Sequence, residues 1–247
     1  MEDIKLFYKR LLNFGSEWSV ISVNLDEKRE RVDIYINYEL KEGPCAETGE
    51  AFKIYDYRQE REWRHLDCLG YATYIHCRLP RIKNANGEIK TIGISWMEPG
   101  ASHTVHFENR SIATLKGTHN RLQASQLMNT SEDMICGIMH SAVARGLERR
   151  DLDKEPVRQL CIDEKSVGKG QRYISILSNG QTGAALEAKA GRDAKSVEEL
   201  IDKTFTAKQL DGIQEVCCDM WDAFINTLKK SVRMPDWSMI NSMWCVT

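Results

Sequence analysis

Apolar residues in the first fifteen positions fall at Ile4, Leu6, Phe7, Leu11 and Leu12, close to the helical repeat, and Gly15 stops the pattern. The period then shortens to two. Residues 18–23 and 31–38 read as strands, the second a clean alternation that follows a charged turn at Asp26-Glu27-Lys28-Arg29. Residues 72–79 and 89–94 continue the β pattern and are expected to be joined through Asn84-Ala85-Asn86-Gly87, an Asn-Gly turn of the hairpin type. A β-rich module over 16–95 follows from these runs. From Thr104 to Arg150 the spacing turns helical, over 105–115, 122–128 and 134–147, with N-cap chemistry at Asn129-Thr130-Ser131 before the third helix. A polar stretch, 151–156, ends in Pro156. Beyond it, strands are predicted over 157–163, 173–177 and 184–190. A helix opened by a Ser196 and Glu199 capping box runs to about Thr204, then come a strand over 213–219 and a helix from Asp219 to Lys230. The order is βββαβα.

At 247 residues the chain is long enough for one large domain or two to three small ones. Its 42% hydrophobic and 28% charged content is that of an ordinary globular protein, and its longest apolar run falls far short of the roughly 20 residues of a membrane helix. The start, Met1-Glu2-Asp3-Ile4-Lys5, leads into no apolar signal segment, so a cytoplasmic protein without a membrane partner is expected. The eight cysteines form no CxxC pair, and a disulfide framework is not expected. Nor do His65, His76, His103 and His106 stand at metal-ligand spacing.

The net charge of -2 speaks against a chain-wide phosphate-binding surface, but averages hide patches. Arg145, Arg149 and Arg150 gather at the end of the third helix, where they could meet phosphates if that helix lay in a major groove; a plain packing unit with Met134, Ile135, Ile138, Met139 and Val143 as core is the alternative. Lys165, Lys169 and Arg172 surround Asp163 at the end of the first strand of the later region. A second carboxylate, Asp219, ends its fourth strand. Two metal ions acting on a phosphodiester need carboxylates converging from separate strands, and Asp163 and Asp219 fit that need. Glu164 points to the opposite face of its strand, and Asp222 follows one helical turn after Asp219.

Asp163-Glu164-Lys165-Ser166, Lys169-Gly170-Gln171-Arg172-Tyr173, Gly191-Arg192 and Asp219-Met220 resemble, in this order, the catalytic domain of insertion-sequence transposases of the ISL-three family. Upstream, Trp63-Arg64-His65-Leu66-Asp67, Leu79-Pro80-Arg81 and Thr104 with Phe107-Glu108 extend the resemblance over most of the chain. A histidine of the family pattern is replaced by Gln171. The resemblance implies a multidomain α+β and α/β protein. It has an N-terminal β-rich, degenerate zinc-ribbon module over 1–103, a helix-turn-helix over 104–150, a partial RNase H-like DDE domain over 151–235 and a divergent tail over 236–247.

It also implies transposition of an insertion sequence, with DNA as partner and Mg or Mn held by Asp163 and Asp219. Arg145, Arg149, Arg150, Lys169 and Arg172 are expected at the DNA, and self-association or pairing with an intact transposase is the protein partnership. Zinc is not expected, because Thr48 and Asn84 stand where ligands to accompany Cys45 belong. The family's third carboxylate comes from a helix beyond the fifth strand, so a C-terminally truncated form that does not cut DNA by itself is expected. The alternatives are a non-enzymatic DNA-binding remnant and an unrelated cytoplasmic interaction protein.

Overall fold

The computed structural model describes residues 2–150, 156–168, 172–219, 222–232, 238–240 and 243–246, the last two segments as backbone. The chain is a mixed α and β protein that divides into two compact units, Met1–Glu148 and Arg149–Thr247.

The first unit opens with α1 (Glu2–Leu12), whose Tyr8 and Leu12 enter the core. Its strands are β1 (Trp18–Asp26), β2 (Arg31–Tyr38), β3 (Glu42–Pro44), β4 (Ala51–Tyr57), β5 (Arg61–Cys68), β6 (Tyr71–Cys77), β7 (Pro80–Lys83) and β8 (Ile89–Thr91). They form two four-stranded sheets, ordered β1-β2-β6-β5 and β3-β4-β7-β8. The Asn-Gly turn joins β7 to β8, not the strand over 72–79 as the alternation suggested. That strand, β6, pairs in parallel with β2 and antiparallel with β5, a strand the hydrophobic pattern does not reveal because its sequence is mostly polar. Trp63 and Trp96 are almost fully enclosed, and Trp96 stacks on Phe14 and meets Trp18 and Trp63 edge-on.

Three helices complete this unit: α2 (Val105–Thr118), α3 (Arg121–Leu127) and α4 (Glu132–Arg149), the last running one residue past the unit's end. Each begins where a side-chain oxygen accepts an otherwise unpaired backbone N–H: Thr104 from Phe107, Asn120 from Gln123, Ser131 from Met134. Phe107, Ala124, Met128, Ile135 and Ile138 close a small core among them. Val143 and Leu147, in the second half of α4, are exposed instead.

The second unit carries β9 (Gln159–Ser166), β10 (Tyr173–Asn179), β11 (Ala185–Ala190), α5 (Ala194–Thr204), α6 (Ala207–Leu210), β12 (Glu215–Asp219), α7 (Asp222–Ser231), β13 (Ser238–Ile240) and β14 (Met243–Val246). The sheet order is β11-β10-β9-β12-β14-β13. The cap of α5 is Asp193, whose carboxylate accepts the Ser196 N–H, rather than Ser196 itself; the helix starts three residues earlier than a capping box at Ser196 and Glu199 predicts. Leu160, Ile162, Val216 and Cys218 share a buried cluster with Val197, Leu200, Ile201, Phe224 and Leu228, so α5 and α7 cover one face of the sheet. No helix among the described residues is long and apolar enough to cross a membrane.

Candidate functional site

Strands β9 and β12 are neighbours and run parallel, with Leu160 opposite Val216 and Ile162 opposite Cys218. One step further along the same register stand Asp163 and Asp219, both exposed. Alternation fixes their direction. The apolar partners Ile162 and Cys218 point into the helix-covered core, so the next residue on each strand faces the opposite side. Two carboxylates separated by 56 positions in sequence therefore end on one face of neighbouring strands, which lie about 4.8 Å apart in any sheet. Asp163 Oδ1 accepts the Glu164 N–H at 2.8 Å. Such a pair offers hard, solvent-accessible oxygens, the donor type that suits Mg²⁺ or Mn²⁺ rather than a thiolate-seeking ion.

The neighbourhood is organised by an arginine. Arg192 lies over the Tyr173 ring, 4.1 Å from its centre, and its Nη1 is 3.3 Å from Glu164 Oε1. Gly191 before it has φ of 106°, a left-handed value that a side chain resists, and its carbonyl accepts the Ser175 hydroxyl at 2.9 Å. Glu164 thus belongs to the packing of β9 on the side away from Asp163. Lys165, two residues after Asp163 on β9, and Arg172, just before β10, are exposed. Lys169 and Gln171 lie outside the described residues, as do Met220 and Trp221; Asp222 is exposed in the first turn of α7.

The three arginines assigned to the DNA from sequence do not stand alike. Arg145 makes an ion pair with the carboxylate of Glu108, which is buried in α2 and also lies 3.2 Å from His103 Nε2. Arg150 donates from Nη1 to the Leu186 carbonyl at the start of β11. Arg149 is exposed at the end of α4.

In the first unit Cys45 is buried, and N–H groups of Thr48 and Glu47 hold its thiol below the usual range. Asn84 is occupied by its own turn: Oδ1 accepts from Asn86 and Glu88, and Nδ2 donates to Glu88. Lys90 reaches Glu47 at 2.7 Å and Glu88 at 3.1 Å, tying the tips of the two hairpins of the second sheet.

Among the described residues, one trio of potential ligands comes together, and the sequence spacing did not point to it: Asp33, Glu62 and His76. These sit on β2, β5 and β6, brought side by side by a parallel pairing that primary sequence conceals. A cation is already among them. Arg31 Nη2 lies 2.6 Å from Asp33 and 2.6 Å from Glu62, while His76 Nε2 is 2.7 Å from Asp33. Burial pushes the Asp33 carboxyl up, but the bonds from Arg31 and His76 outweigh it and leave the group below the usual range. The cluster is a closed ion network with its charge met by protein.

A family model described as a transposase, of the ISL-three DDE type, matches residues 160–239 and so contains both aspartates. Two transposases for insertion sequence element IS1557, from the CDC 1551 and H37Rv strains of Mycobacterium tuberculosis, are each 23% identical to this chain over 193 residues. That alignment covers 78% of this chain and 42% of each relative, so the chain spans about two fifths of the length of the curated relatives it matches.

Proposed function

We propose, from the match of residues 160–239 to the ISL-three transposase family model, that this chain is an insertion-sequence transposase-family protein that binds insertion-sequence DNA and holds a divalent cation at Asp163 and Asp219. The observation that carries the reading is the parallel register of β9 and β12, which delivers the two carboxylates to one face. A sheet whose first and fourth strands are neighbours, with α5 and α7 on one side, is consistent with an RNase H-like domain.

On this reading Asp163 and Asp219 orient the cation from adjacent strand ends. Lys165, Lys169 and Arg172 meet the phosphate backbone beside them, and Arg192 fixes Glu164 and Tyr173 so that β9 and β10 hold their positions. A divalent ion bound there supplies electrophilic polarisation of a phosphate oxygen. The three-helix segment α2 to α4 acts as a helix-turn-helix, with Arg149 as its exposed phosphate contact. Arg145 serves the reading indirectly, by holding α4 to α2. The N-terminal sheets form a zinc-ribbon-like module in which the Lys90 contacts with Glu47 and Glu88 join the hairpin tips.

The proposed activity of this chain is binding of insertion-sequence DNA and of a divalent cation. Titration with Mn²⁺, read by the loss of its free electron paramagnetic signal, is expected to show a site that Asp163→Asn and Asp219→Asn each remove. DNA carrying an element end should be bound with an affinity that falls steeply with salt. Unchanged Mn²⁺ binding in both variants sinks the cation site.

A further inference from the structure

Helix α1 sends Tyr8 and Leu12 into the first unit and leaves its other side bare. There Leu6 is 49% exposed, Phe7 57% and Leu11 60%, a dense apolar surface for a helix of 11 residues. Asp3 stands one turn before Leu6 and Phe7, and Arg10 one turn after them, on the same stripe; the five side chains line one shallow depression. Phe7 and Leu11 also rim an apolar cavity of about 520 Å³ whose wall includes Leu69. Leu69 is 96% exposed with φ of 54°, a leucine held out at the tip of the β5–β6 turn in a backbone conformation that such residues resist. Apolar surface gathered in this way, rather than scattered singly, marks a place of contact.

We propose that this face is where two copies of the chain associate, α1 of one packing antiparallel on α1 of the other about a two-fold axis. The charges select both the occupant and the direction. A register that sets Leu6 against Phe7 of the second copy also sets Asp3 against its Arg10, and symmetry repeats each contact. A parallel arrangement opposes Asp3 to Asp3 and Arg10 to Arg10. Within one chain, neither Asp3 nor Arg10 makes an ion pair among the described residues. An acidic first turn and a basic last turn also suit the helix dipole, but the dipole does not require both charges to border the apolar stripe. One helix pair is a small interface, so the association is weak and reversible. The inference stands on α1 alone and is independent of the transposase reading.

Sedimentation equilibrium of the full chain tests it. The wild type should show a concentration-dependent dimer. Asp3→Arg and Arg10→Asp should each weaken it about tenfold, because each replaces two attractive contacts by two repulsive ones. An equimolar mixture of the two variants should regain a dimer. The first variant is basic at both positions and the second acidic at both, so every contact between unlike chains is again attractive; a variant with a misfolded α1 does not do this. A wild type that stays monomeric, variants as dimeric as the wild type, or a mixture no better than its components overturns the proposal. So does a monomer whose α1 face instead binds vesicles of anionic lipid.

Discussion

His65 sits beside Thr104, its Nδ1 2.8 Å from the Thr104 hydroxyl, where burial first, and then His106 and Arg64, lower its pKa to about 4. A group depressed on folding contributes stability that is complete above its unfolded value near 6.5 and is lost as pH falls toward the folded value, because the unfolded chain takes up the proton first. Chemical denaturation should therefore show up to about 3 kcal/mol less stability at pH 4 than at pH 7, with the slope flattened in His65→Gln. An equal slope in that variant rules His65 out as its source. Arg145 presents a different single-residue question. Its pairing with buried Glu108 implies that Arg145→Ala lowers stability by about 2–3 kcal/mol, as expected when one partner of a buried charge pair is removed, and urea unfolding measures this directly. A loss of DNA affinity without a loss of stability contradicts that assignment.

At the level of elements, the chemistry of short segments decided the helices, while pairing decided the strands. Thr104, Asn120 and Ser131 cap α2, α3 and α4 by local geometry, and such signals are legible in sequence. Strand β5 is not, since its residues are mostly polar and its place comes from pairing with β6. The backbone of β14 pairs antiparallel with β12 from Val216 to Asp219, covering an edge beside the aspartates that a chain without it leaves open. Deleting residues 238–247 should therefore speed amide exchange at Cys217 and Asp219 and increase aggregation in light scattering. Unaltered exchange at β12 argues against the β14 pairing.

Over the whole molecule, the two units have separate buried cores: the clusters built on Trp63 and on Phe107 lie before residue 139, and the cluster built on Leu160 and Phe224 lies after residue 156. Leu160→Ala should cost about 3 kcal/mol, seen in calorimetry as a lowered transition for the second unit with the first unmoved. A uniform shift of all unfolding heat indicates a single cooperative block instead. The amino-acid sequence determined what depends on neighbours along the chain: the helical segments, the turn at Asn84-Gly87, and the motif order from Asp163 to Asp219 that carries the family resemblance. Tertiary structure decided what depends on partners far away in sequence. It made Asp163 and Asp219 adjacent through the β9–β12 register, tied Arg145 to Glu108, and assembled Arg31, Asp33, Glu62 and His76 into one network. The reason is physical: capping and turn chemistry act within a few residues, whereas register and charge pairing are fixed only when strands and helices bury their apolar faces together.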